Sequence, residues 1–327
     1  MPLGENIISL SDGTVGMILK LARKSKWLPE VDPGQPLSEV ARLAIDLRLR
    51  TVCDYVPLAA EHAEDDIEYI HQLRVSTRRA VAALTLFKDL LPKKRRKRMR
   101  QHLNDIRQAA GKARDLDVFI QRLSGKNSPL SEHTGPRILE RLIAQREEAQ
   151  APLSETYARL KDKDFFDEVV RLVDKIRWRE SKKELSFEAA ARKRLKPAYK
   201  GFHDAATSDM TEVEALHAFR IQGKRLRYVM ELLAGAFEPE FKHQLYPDLG
   251  KLQDRLGDLN DHATACDRVS QWIDELDAVN GDTVLNELKK LREKESRAID
   301  ATADKFRSWW TAEKCAGFLQ RLEPYTG

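Results

Sequence analysis

The chain has few of the ingredients of a sheet, a disulfide scaffold or a membrane anchor. Only 7% of its 327 residues are aromatic, and no stretch rich in Val, Ile and Thr alternates with polar residues, so nothing calls for strands. Its three cysteines, Cys53, Cys266 and Cys315, are far apart and lack any CxxC or Cys/His metal spacing. Buried free thiols are expected, not a disulfide framework. No apolar run approaches the length of a membrane span. The first, VGMILKLA at 15–22, follows Glu5 and is interrupted by Lys20, which speaks against a secretory signal. A cytoplasmic protein without membrane contact is expected. Also missing are GxxxxGK[ST], HExxH, GxSxG and a carboxylate cluster for two metals, so neither catalysis nor a cofactor is expected.

What is present is charge. Hydrophobic residues make up 42% and charged residues 33%, a balance that favours helices with one buried face, and the class expected is all-α. The net charge of +5 hides an asymmetry: from His71 to Arg114 there are fourteen Lys/Arg against two acids, a net of +12. The remaining 43 bases and 50 acids leave −7. So dense a set of like charges repels itself unless an anion belongs there.

Apolar spacing and breakers divide the chain. Residues 1–37 read as an extension, with an amphipathic helix over Thr14 to Leu28 that can dock on the body or on a partner and a linker containing Pro29, Pro33, Gly34 and Pro36. Helices are expected from Ser38 to about His62, from the acids Glu64 to Asp66 through Leu91, and from the basic run past Gly111 to about Leu123. Ser124 to Pro136 reads as a loop, followed by helices at 137–161 and 164–178 and a polar break near Ser181 to Ser186. The pattern then restarts. Phe187 to Phe202 is helical, Thr211 and Glu214 form a capping box for a helix to about Phe237, Pro239 opens a helix to about Gly281, and the last runs from Asp282 to Leu322 with an apolar stripe from Val284 to Trp310.

That restart is a repeat with an offset of 146 residues. His71 falls on His217, Arg74 on Arg220, Val75 on Ile221, Arg78 on Lys224, Arg79 on Arg225, Gly111 on Gly257 and Asp115 on Asp261. The chain therefore reads as a tandem duplication, about 38–180 and 186–322, with about four helices per copy. Residues at i, i+3 and i+7 share a helix face. His71, Arg74 and Arg78 form one cationic column, His217, Arg220, Lys224 and Arg227 its counterpart, and Arg79 and Arg225 flank them. Two tandem four-helix bundles related by a pseudo-twofold axis would set both columns along one shared basic groove. The run Lys93 to Arg98, with Lys93, Lys94, Arg96 and Lys97, does not recur as a run in the second copy and would strengthen and extend the groove, and Arg100, Arg107, Lys112 and Arg114 complete the candidate binding residues. Asp115 and Asp261 are poor ligands for an anion and are expected to hold arginines of a neighbouring helix in position.

HQLRVSTRR at 71–79 with GKARDLDV at 111–118, and HAFRIQGKRLRY at 217–228 with GDLNDH at 257–262, resemble the CHAD family, the conserved histidine α-helical domains. The resemblance covers roughly residues 38–322. It implies two four-helix bundles whose basic groove binds inorganic polyphosphate, with no catalytic activity of its own, and it places His71, Arg74, Arg78, Arg79, His217, Arg220, Lys224 and Arg225 at ligand-facing positions. The chain departs from the family pattern at Ala80-Val81, where Leu and a further base are usual, and at Asn260, opposite Arg114. Some members carry a CYTH triphosphatase-like domain, and the first 37 residues contain no ExExK pattern for one. Association with polyphosphate granules follows as an expectation. The alternative partner is nucleic acid, bound weakly on the same surface, although neither an aromatic platform nor a reader motif accompanies the basic helices.

Overall fold

The computed structural model describes residues 25–125, 130, 135–277 and 282–327. These residues are all-α, with no strand among them and one isolated antiparallel bridge between Pro36 and Ser186. Helix α1 (Leu37–Glu61) buries Val40, Ala41, Ala44, Ile45 and Val52, the face its apolar spacing defines. Helix α2 (Glu68–Leu86) begins where Asp66 Oδ1 accepts the Glu68 N–H at 2.9 Å. It stops at Leu86 rather than Leu91, and a 3-10 turn, Lys88–Leu90, leads to Pro92.

The helix expected to carry the basic run through Gly111 is two helices. Helix α3 (Lys93–Ala109) and α4 (Gly111–Ser124) meet at Ala110, which is fully buried and has ψ of 0°. Most of the loop expected from Ser124 to Pro136 lies outside the described residues, while Ser124 ends α4 and Gly135 and Pro136 open the next helix. Beyond it, α5 (Gly135–Glu148), α6 (Ala151–Asp162) and α7 (Phe165–Val173) replace two longer helices. The first break falls at Gln150, whose amide donates to the Ala59 carbonyl at 2.8 Å.

The second copy opens with α8 (Phe187–Ala206), capped by Ser186 Oγ, which accepts the Ala189 N–H at 3.3 Å. Helix α9 (Val213–Leu233) follows, without the expected capping box, because the Thr211 hydroxyl donates to Asp209 Oδ1 at 2.6 Å instead. A 3-10 turn (Ala234–Ala236) and a π turn (Phe241–Leu245) feed α10 (Tyr246–Asp277). The expected last helix divides into α11 (Asp282–Trp309) and α12 (Ala312–Leu322), the latter capped by Thr311. Its stripe is core, with Leu288, Leu291, Ala303 and Phe306 buried and Val284, Ile299 and Trp310 packed against them.

The repeat survives in the backbone. The 3-10 turns at Lys88–Leu90 and Ala234–Ala236 lie 146 residues apart, and the bounds of α2 and α9 agree to within one residue at that offset. These breaks raise the helix count above four per copy. The copies also begin side by side: Leu37 N–H donates to the Leu185 carbonyl at 3.1 Å, Phe187 N–H to that of Gln35 at 2.8 Å, and Ser38 N–H to Glu184 Oε1 at 2.7 Å. The equivalent helices α1 and α8 touch, as do α2 and α9. Buried apolar residues of both copies join in one continuous cluster.

Of the helix expected over Thr14 to Leu28, residues 14–24 lie outside the described residues and Ser25 to Leu28 are not helical. The described part docks on the body. Arg48, 2% exposed, donates to the carbonyls of Ser25 and Lys26, and the Trp27 ring lies 4.5 Å from that of Tyr246. The cysteines are free thiols, Cys315 buried and the others half-buried.

Candidate anion-binding site

A stripe down α9 sets His217, Arg220, Lys224, Arg227 and Glu231 on one face, because steps of three and four residues return to the same side of a helix. His217 is exposed, the three cations are half-buried and Glu231 is 1% exposed, so the stripe descends from solvent into the protein. On α2, His71, Arg74 and Arg78 form a second stripe, all half-buried. The two meet: Arg78 stands close enough to both Arg220 and Lys224 for its charge to depress their pKa values.

Arg74 and Arg220 are positioned from behind. Arg74 Nη1 donates to the Arg107 carbonyl at 3.1 Å, and its Nη2 lies 3.8 Å from Asp115 Oδ1. Gly111 lets α4 begin close to it, since a Cβ there would stand 3.2 Å from Arg74 Nη1. Arg220 Nη1 donates to Asn260 Oδ1 at 3.1 Å, while Asp261 favours its charge without a direct bond. Asp115 thus pairs with Arg74, whereas the equivalent contact in the second copy passes to Asn260.

Crowded cations and partial burial mark the electrostatics. Burial pushes the His71 pKa down, and Arg114, Arg78 and Arg74 add to the effect against Glu68. Burial lowers those of Arg74 and Arg220 too, opposed chiefly by Asp115 and Asp261. Lys224 responds most. Burial, then Arg220, Arg78 and Arg227, push its amine down to about 7, with Asp261 opposing. Among the described residues neither Arg78 nor Lys224 has an ion-pair partner, and the buried Nε of Arg220 and of Arg227 has no hydrogen-bond acceptor.

Other candidates lie elsewhere. Arg79 donates through Nε and Nη2 to Glu231 at 2.7 and 3.2 Å, so its fork serves a buried carboxylate. Burial opposes its charge, but Glu231 outweighs burial and raises its pKa. Arg225 is exposed and leans on Gln222 at 3.4 Å, towards α8. Arg107 and Arg114 act on Arg74, and Arg114 also on His71, which joins the start of α4 to the first stripe. Arg96, Arg100 and Arg107 share a face of α3 and are half-buried, whereas Lys93, Lys94, Lys97 and Lys112 are exposed. Arg98 turns towards α7 to pair with Glu168 at 3.0 Å, beside His102 at 3.1 Å.

Sequence reading missed the buried polar groups beneath the stripes. Glu231 collects Arg79, the Tyr246 hydroxyl at 2.7 Å and Arg227 at 3.9 Å. Arg48, whose pKa burial and then Arg79 push down to about 10, stands beside them. Its counterpart at the repeat offset, Arg194, binds Asp89 at 2.6 and 2.9 Å, and that register was the signal available. His262, next to Asp261, belongs to a different group: Arg122 and Glu295 lie 2.7 Å from its Nδ1. Among the described residues, no group of three or more His, Cys, Asp or Glu is arranged to hold a metal ion.

A duplicated, all-α chain with two registered His/Arg/Lys stripes in contact defines a class of helical domain. The sequence profile of the CHAD domain matches residues 43–270, and the chain belongs to that family. Two solved structures share its fold. The CHAD domain from the plant Ricinus communis is 19% identical with a TM-score of 0.65, over 86% of this chain and 96% of that one. PptA from Streptomyces chartreusis is 17% identical with a TM-score of 0.58, over 84% of this chain and 99% of that one. No curated protein matches the chain by sequence.

Proposed function

We propose that the two stripes are the walls of one basic groove that binds inorganic polyphosphate without acting on it. The observation that carries this reading is a contrast in partners. Arg79, Arg122, Arg146 and Arg194 each hold a carboxylate, whereas Arg78 and Lys224 face each other's stripe with none among the described residues. Half-buried cations without counter-charge are costly, and the buried Nε groups of Arg220 and Arg227 add unmet donors. A linear phosphate chain offers oxyanions in series along both stripes. Guanidinium forks suit such oxygens, and displaced counterions make binding strong and salt-sensitive. Membership of the CHAD family adds support, and association with polyphosphate granules in the cytoplasm is the setting we infer.

Retention on polyphosphate of defined length, titrated with salt, tests the proposal. The Arg78→Ala, Arg220→Ala double variant is expected to bind at least about 100-fold more weakly, each charged hydrogen bond being worth roughly 1.5–3 kcal/mol. Binding equal to wild type at moderate salt would place the ligand elsewhere. Displacement by DNA at equal phosphate concentration would make nucleic acid the ligand. Phosphate release from long chains with Mg²⁺ or Mn²⁺ would show an enzyme.

A further inference from the structure

The two columns hold different chemistry at their equivalent central positions. Arg78 is a guanidinium, charged at any pH a protein survives. Its repeat partner, 146 residues on, is Lys224, an amine that can lose its proton. Lys224 lies on the half-buried inner face of α9, between Arg220 one turn before it and Arg227 one turn after. Arg78 faces it from α2 and Asp261 from α10. Helices α8 and α11 also pack against α9, both through Phe219 and α8 also through Gln222, roughly opposite Lys224 on the helical wheel. Three cations and one carboxylate therefore surround the amine, and no ion pair holds it among the described residues.

We infer that Lys224 makes anion binding proton-linked: its amine takes up one proton as a phosphate chain enters between the stripes, so affinity for densely charged ligands is set by pH. This rests on the polyphosphate reading. In the empty site burial and neighbouring cations disfavour the ammonium form; a row of oxyanions beside it reverses the balance, as an opposite charge within a few ångströms does. The sign follows. At pH values below the empty-site pKa of about 7 the amine is already charged and contributes no pH dependence. At higher pH, up to the raised pKa of the complex, binding must draw a proton from solvent, and affinity falls by up to about tenfold per pH unit. Arg78 contributes no such dependence, and because the empty-site pKa of His71 is depressed, any window for proton uptake there opens at lower pH.

Calorimetry of the full chain with polyphosphate of defined length, at pH 8 in two buffers of different protonation enthalpy, counts the protons. The expected result is about one taken up by wild type and about none by Lys224→Arg or Lys224→Met. Across pH 7–9 the affinity of wild type should fall while that of Lys224→Arg stays flat. Asp261→Asn should move the wild-type fall to lower pH, because it removes the one carboxylate favouring the ammonium. Binding by wild type without proton uptake, or a pH slope that survives in Lys224→Arg, would overturn the inference and leave the polyphosphate reading standing. No binding by wild type at low salt at any pH would overturn both.

Discussion

The two copies of the repeat share a register but not an economy of charge. In the first, Arg74 and Arg78 are permanent cations reinforced by Arg107 and Arg114, and the carboxylate at Arg74, that of Asp115, is 47% exposed. In the second, the stripe contains a titratable lysine, Asn260 replaces the counterpart of Arg114, and the column ends on a carboxylate that is 1% exposed. Duplication preserved where cations stand and let their chemistry diverge. The arginines of the first stripe keep their charge at any pH a protein survives; in the second, burial and neighbouring cations push the Lys224 amine down to about 7, and the stripe runs on to the buried Glu231.

The difference breaks most visibly at Glu231 and its repeat counterpart Thr85. Thr85 is exposed and returns its hydroxyl to the Val81 carbonyl at 2.7 Å. Removing it is expected to change stability by no more than about 0.5 kcal/mol. Glu231→Ala strands Arg79, with Arg227 and Arg48 beside it, and should lower stability to urea by about 3–5 kcal/mol. An Arg79→Met, Glu231→Leu double variant should recover most of that loss, since a buried pair replaced by apolar residues of similar volume is often neutral or better. Equal effects at Thr85 and Glu231 would show that the second column does not depend on its terminal acid.

How far the sequence reached can be judged on the same residues. Helix class, the 146-residue register and both columns followed from spacing, because helical faces and a duplication are local, periodic facts. The helix breaks at Ala110, Gln150 and Thr311 did not. Two of them answer to distant groups: Ala110 is buried in the core, and Gln150 reaches the carbonyl of Ala59. Register and resemblance place Arg79 with the ligand-facing cations, and its carboxylate partner, 152 residues away, is out of reach of any spacing rule. Glu231 extends the stripe one turn past Arg227, so its position was legible while its role as a hub was not.

Gly223 and its counterpart Thr77 give the next effect. Thr77 is fully buried and its hydroxyl donates to the Arg74 carbonyl at 2.9 Å, so α2 accommodates a side chain there. At Gly223 a Cβ would stand 2.1 Å from Nε2 of Gln253, which α10 presses against α9 and which is 4% exposed. Gly223→Ala is therefore expected to cost about 1–3 kcal/mol as an overpacked contact. It should also weaken polyphosphate binding, because Lys224 is the next residue. Adding Gln253→Ala should restore room and recover both. Loss of stability that Gln253→Ala fails to relieve would mean that Gly223 is needed for something other than this approach.

The smallest effect expected is also the strictest test of asymmetry. Lys93, Lys94 and Lys97 have no cationic counterparts, for the offset brings them to Pro239, Glu240 and His243. They are exposed, and Arg98 within the same run is turned away to Glu168. If they only extend the groove, a Lys93→Gln, Lys94→Gln, Lys97→Gln variant should keep its stability and its affinity for chains just long enough to span the two stripes. For longer chains the slope of log affinity against log salt should become shallower, by about 0.7 for each phosphate that the variant no longer neutralises on a single-stranded polyanion. Reducing affinity for the shortest bound chains as severely as Arg78→Ala, Arg220→Ala would instead place the run inside the groove. The first copy would then supply two walls, and registered residues would no longer be sufficient to define the site.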